Sequence, residues 1–185
     1  MTACGRPVGW RSTPVPVRPS RPVHGADPAL RQDRRQMVST LSLGGMFDIP
    51  NNQLLLRQAL KWGVTYWDTA NSYEGGNSEL GIGKYFAKYP EDRKNIFLVT
   101  KSTAWTLKGM TDHLNLSLER MQTDHVDLFF VHAIRSIATM DKDKQRWGEK
   151  AKADGKIRLF GFSTHSNMEE CLLGGRRAWA GSTGS

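Results

Sequence analysis

The sequence predicts an α/β chain, an incomplete (β/α)8 TIM barrel of about five βα units with parallel strands. Three observations carry that expectation. The first is a period: Asp68, Lys101, His132 and Ser163 each close a strand-like run, at intervals of 33, 31 and 31 residues. A fixed interval holding one strand and one helix marks repeated βα units. The second is the run Ile96–Thr100 (IFLVT), whose continuous apolar character suits a parallel sheet covered on both faces. The third is the chemistry at the run ends, where Asp, Lys, His and Ser occupy successive positions. An open doubly wound sheet also fits the alternation. The closed barrel accounts for more, because its strand carboxyl ends gather reactive groups. The first turn, LGGMFDIPNN, also lacks the G-x-G-x-x-G pattern of dinucleotide-binding sheets.

The elements follow in order. Residues 1–36 hold seven Arg, two Asp and six of the eight prolines, so they are expected to form a disordered tail. Arg and Ser/Thr enrichment there superficially fits a transit peptide, but the prolines spoil the amphipathic helix that such a peptide needs. Val38–Leu43 reads as the first strand, with Gly44 and Gly45 as its punctuation. Asn51 or Asn52 is placed to cap a helix carrying Leu55, Leu56, Ala59 and Leu60, and Gly63 ends it. Val64–Asp68 is the second strand. Asn77 or Ser78 then caps a helix through about Lys88, in which Gly81 and Gly83 imply close packing. After the strand ending at Lys101, Leu107, Met110, Leu114, Leu118 and Met121 form a stripe at helical spacing, read as core. Val126–Val131 (VDLFFV) ends at His132. A helix over 141–153 leads to a fifth strand, Ile157–Phe162, ended by Ser163. Beyond Leu173 the run GGRRAWAGSTGS has little apolar content, and residues 174–185 are expected to be a second disordered tail.

Charge and composition narrow the function. The formal charge is +8, but residues 37–173 carry 17 Lys/Arg against 16 Asp/Glu, so the basic excess lies in the ends. Without interleaved aromatics those ends do not predict nucleic-acid binding. No apolar run reaches the length of a membrane span. Two distant cysteines, Cys4 and Cys171, argue against a thiolate metal site and indicate no oxidising compartment. A cytoplasmic location is expected.

The stretch TYWDTANSYEGG sets the chemistry. It brings a carboxylate, Asp68, to a strand end and a phenol, Tyr73, to the following loop. A phenol can donate its proton to a carbonyl oxygen when a cation beside it favours the phenolate and a carboxylate holds that cation. Lys101, one strand over, provides the ammonium. His132, one strand further, could direct a ring N–H at the same oxygen. Each residue alone has a structural explanation: a loop acid, a surface aromatic, a lysine snorkelling to solvent and a hydrogen-bonded histidine. Together, at equivalent positions of one repeat, they read as a proton relay that lacks only a hydride source.

In the segments VTYWDTANSYEGG, FLVTKS and VDLFFVH these residues match the tetrad of the aldo-keto reductase family, which the chain resembles from about Met37 to Leu173. SLERMQTDHVDLFFVH and GKIRLFGFS are similar to family segments too. The resemblance implies a (β/α)8 barrel that binds NADPH, with NADH possible, across the strand ends, and reduces aldehydes or ketones. It implies that Tyr73 is the general acid, Lys101 its activating cation, Asp68 the partner of Lys101 and a cofactor contact, and His132 the orienter of the carbonyl. Ser163 would contact the nicotinamide carboxamide. The family's Asn after that serine, a second carboxamide contact, is Thr164 here, which is the cofactor-binding candidate at that position. The family loops that grip the cofactor's phosphates follow strands for which this sequence has no counterpart. The chain therefore reads as a truncated reductase, the alternative being a non-catalytic partial barrel that binds or regulates. The carbonyl substrate and the oligomeric state are not specified by the sequence.

Overall fold

The computed structural model describes residues 37–180, with side chains as far as Gly175. The proline-rich segment 1–36 and the last five residues lie outside the described residues, so the tail expected there is not addressed. Among the described residues five strands and five α-helices alternate: β1 Ser42–Gly44, α1 Gln53–Lys61, β2 Tyr66–Asp68, α2 Asn77–Lys88, β3 Phe97–Ser102, α3 Leu107–Met121, β4 Val126–Ile134, α4 Lys142–Ala153, β5 Ile157–Thr164 and α5 Met168–Ala180. All four strand pairings are parallel and the order is sequential, β1-β2-β3-β4-β5. Sequential parallel order with a helix between each pair is how a (β/α) barrel is wound, and these five units make a partial barrel. β3 is buried at every position, as the run IFLVT predicts.

The sheet core comprises Trp67, Leu98, Val99, Phe129 and Val131, and the helices cover it with Leu56, Ile82, Tyr85, Met110, Leu114 and Met121. Fully burying side chains of this size contributes about 1.5–3 kcal/mol each. Met110, Leu114, Leu118 and Met121 of the stripe on α3 are therefore core, as their spacing implies, whereas Leu107 at its start is exposed. α2 and α3 approach closely: a Cβ on Gly83 would lie 2.0 Å from the carbonyl oxygen of Arg120, and one on Gly81 would lie 2.6 Å from Ile49 Cγ2. The glycines that weaken α2 as a helix thus let it seat against its neighbours.

Several boundaries differ from the sequence expectation, each for a local reason. β1 begins at Ser42 rather than Val38, because Ser39 Oγ accepts the Thr65 and Tyr66 amides (2.9 and 3.1 Å) and replaces ladder bonds there. Neither Asn51 nor Asn52 caps α1 with its side chain; Asn52 Nδ2 instead donates to the Asp48 carbonyl at 2.7 Å. The residue at the start of α2 is Gly76 in the left-handed region, while Asn77 and Ser78 are already helical. β4 runs past His132 to Ile134. Finally, α5 continues through Leu173 to Ala180, where a tail was expected from residue 174. Gly174 permits this, since a Cβ there would lie 2.7 Å from Ile137 Cγ2.

Candidate active site

The carboxyl ends of β2, β3 and β4 point at one place, and Lys101 is its centre. β3 buries Lys101 so fully that its side chain is only 7 % exposed. An ammonium in that position needs partners. It donates to the Thr69 carbonyl at 2.9 Å and to the Tyr73 hydroxyl at 3.2 Å. Asp68 Oδ1 lies 2.8 Å away as a charge partner, although the angle is not that of a hydrogen bond and this oxygen has no hydrogen-bond partner among the described residues. The ammonium also sits 4.7 Å from the centre of the Tyr73 ring, a cation–π approach. Carboxylate, ammonium and phenol are therefore in contact, as the strand-end spacing predicts. Tyr66, the other phenol of this stretch, stacks on Phe97 at 5.3 Å, and burial followed by the Asp68 charge pushes its ionisation up.

His132 completes the group by ring contact, with its imidazole edge-on to Tyr73 at 5.8 Å between centroids. Its backbone setting is irregular. The β4–β5 register shifts between Val131 and Ile134, and Ala133 has φ 54°. Such a bulge re-aims the adjoining side chain. His132 Nδ1 is buried without a hydrogen-bond partner among the described residues. Burial first, then the Lys101 charge and His165, lower its pKa, and Asp68 opposes them. The neutral imidazole is favoured near pH 7. Because the folded value lies below the unfolded one of about 6.5, His132 leaves stability untouched above that pH. As pH falls below about 6.5, proton binding to the unfolded chain costs stability. His132→Asn should accordingly flatten the decline in melting temperature between about pH 7 and 5. Parallel curves for the two proteins would refute this.

The strand-end serine and threonine differ in what they still offer. Ser163 Oγ accepts the Ala133 amide at 3.0 Å, which leaves its own proton to donate. Thr164 Oγ1 is committed to backbone: it faces the carbonyls of Ile134 (2.7 Å) and Ser166 (2.5 Å) and accepts the Ser166 amide at 3.2 Å. Among the described residues the Ser163 hydroxyl proton is thus uncommitted, whereas Thr164 is engaged within the chain. Of the apolar residues near the strand ends, Met46 and Trp105 are 66 % and 70 % exposed, whereas Phe47 packs against the core. A separate cavity of about 460 Å³, lined by Arg57, Thr65, Tyr85, Tyr89 and Asp92 among others, contains none of the strand-end groups. Among the described residues no helix is long and apolar enough to cross a membrane.

A partial βα barrel with Asp, Tyr, Lys and His gathered at its strand ends defines a class, the barrels whose chemistry sits on the carboxyl face of the sheet. The comparisons with known proteins make it specific. The model of the aldo/keto reductase family matches residues 40–179, and the chain belongs to that family. It is 34% identical over 124 residues to the NADP(+) aldo-keto reductase yakc of Schizosaccharomyces pombe, covering 60% of this chain and 36% of that protein. To the methylglyoxal reductase YeaE of Escherichia coli it is 33% identical over 119 residues, 62% of this chain and 40% of the relative. Among solved structures, an aldo-keto reductase from Klebsiella pneumoniae in complex with NADPH superposes with a TM-score of 0.62 at 27% identity, over 76% of this chain and 50% of that one. The chain therefore spans half or less of the length of these relatives.

Sequence reasoning missed some of what holds the site. The Thr69 carbonyl, a main ligand of Lys101, is backbone and has no residue signature. The left-handed Ala133 that re-aims His132 has none either, since alanine is not a turn residue. Arg120 and Glu79 have no signature inside their helical patterns, although Arg120 reaches the connection that carries Tyr73 and Glu79 holds Arg120.

Proposed function

We propose that this chain carries the proton-relay machinery of a cytoplasmic NADPH-dependent reductase of small aldehydes or ketones, with NADH as the alternative cofactor. One observation carries the reading: a buried ammonium, Lys101 Nζ, in contact with both the Tyr73 hydroxyl and the Asp68 carboxylate. NADPH, when bound, supplies the hydride. Ser163, whose hydroxyl donates to no partner among the described residues, would hold the nicotinamide carboxamide. Tyr73 donates its O–H proton to the carbonyl oxygen of the substrate. The bonding pair stays on the phenolic oxygen, where the Lys101 ammonium at 3.2 Å stabilises it. Asp68 balances the lysine charge and holds it in place. The neutral His132 imidazole directs a ring N–H toward the same oxygen and fixes the face that the carbonyl presents.

General acid catalysis of this kind contributes about 10²–10⁴-fold. In a chimera joining this chain to the C-terminal barrel units of the Klebsiella pneumoniae reductase, Lys101→Met should cut reduction of an aromatic aldehyde at least ~10²-fold. Turnover unchanged by that substitution would overturn the reading.

A further inference from the structure

Tyr73 is the relay member that lies on neither a strand nor an α-helix. It sits on the connection between β2 and α2, whose backbone is unusual: Glu74, Gly75 and Gly76 follow one another at φ 49°, 63° and 97°. A non-glycine residue in the left-handed region persists where its surroundings over-determine it. Those surroundings converge on one guanidinium. Arg120, from the last turn of α3, donates through Nη1 to the Asn71 carbonyl at 3.0 Å. The same guanidinium fills the space beside Gly76, where a Cβ would lie 2.5 Å from Arg120 Cζ. It thus touches the connection on both sides of Tyr73.

Arg120 is itself held. Its Nη1 lies 3.3 Å from Oε2 of Glu79, a carboxylate with no solvent exposure. The other oxygen of Glu79 accepts the Thr100 hydroxyl at 2.7 Å, and Thr100 immediately precedes Lys101 on β3. Asn71 meets β3 as well, its amide donating to the Lys101 carbonyl at 3.0 Å. One buried acid therefore ties the strand that carries the lysine to the connection that carries the phenol. Simple satisfaction of a core acid would need only the contact with Glu79. The reach to Asn71 and the fit against Gly76 go beyond that.

We propose that the Glu79–Arg120 pair is a positioning device that fixes the Asn71–Gly76 connection so that the Tyr73 hydroxyl rests on Lys101. It rests on the relay reading above, and it predicts an effect on Tyr73 separable from stability. The chain has four tyrosines. In the 185-residue protein labelled with ¹³Cζ-tyrosine, Tyr73→Phe identifies the Tyr73 signal and Lys101→Met shows how far it moves when the lysine contact is lost. Arg120→Met and Gly76→Ala should each move the Tyr73 signal in the Lys101→Met direction and broaden it. The Tyr85 signal, whose hydroxyl donates to Asp92 at 2.7 Å, should stay in place. Combining the two substitutions should add little, because both remove the same contact. Arg120→Lys keeps the charge but lacks a fork to span Asn71 and Glu79, so it should restore the signal only part-way. It also carries the test should either of the other two variants fail to fold. A Tyr73 signal unmoved in every folded variant, while Lys101→Met moves it, overturns the positioning role. If Lys101→Met leaves the signal in place too, the relay reading falls and this inference with it.

Discussion

Tyr73→Phe is expected to lower kcat for aldehyde reduction about 10²–10⁴-fold in the full-length chimera while leaving the fold intact. The structure explains why the two effects separate. The phenyl ring keeps its edge contact with His132 at 5.8 Å and its place beneath the Lys101 ammonium at 4.7 Å, so little packing is lost. Only the hydroxyl disappears, and Lys101 retains the Thr69 carbonyl and Asp68 as partners. A group that acts by giving up a proton in the transition state should affect kcat and kcat/KM equally. A rise in KM with kcat unchanged would assign Tyr73 to substrate binding instead. Steady-state kinetics beside a thermal melt of the same preparation decides the matter.

The cluster was legible in the sequence because the βα repeat turns distance along the chain into neighbourhood in space. Asp68 and Lys101 lie 33 residues apart, yet they sit near the carboxyl ends of adjacent strands, and Asp68 pairs with Val99 in the ladder. Any residue that closes a strand in this fold faces the same end, so period and residue type together locate the site. α3 was legible for a similar reason: its apolar stripe has one period and one partner surface.

What escaped the sequence depends on contacts that residue type does not encode. The start of β1 moved because one serine side chain, Ser39, took over hydrogen bonds that a strand would have made. α5 ran on through Gly174 because that glycine serves a close approach to Ile137 rather than a stop. Glycine as punctuation and glycine as clearance look identical in a sequence. At Gly83 a periodic helix on both sides points to clearance, whereas around Gly174 the flanking residues carry little apolar signal, which is why a tail was expected there. At Thr164 the residue was visible but its engagement was not: its hydroxyl is committed to the Ile134 and Ser166 backbone.

The 185-residue polypeptide by itself is expected to bind NADPH far more weakly than the chimera. On the function proposed above, its strand-end face would serve only the reacting end of the cofactor, through the Ser163 hydroxyl, and the carbonyl, through the Lys101–Tyr73 contact. By the family resemblance, the loops that grip the phosphates follow later strands than β5. Hydrogen bonds to charged groups contribute roughly 1.5–3 kcal/mol each, so the loss of about three should weaken binding ~10³-fold or more. A fluorescence titration of both polypeptides measures the difference directly. Micromolar affinity in the shorter one would mean that β1–β5 and their loops hold the cofactor largely alone, and the division of labour inferred here would be wrong. Weak binding by both would instead favour the non-catalytic reading, because a chimera that supplies the phosphate-gripping loops and still fails to take up NADPH must be deficient at the nicotinamide end. In that case Thr164, already bound to its own backbone, is the first position to change, and Thr164→Asn should restore binding to the chimera.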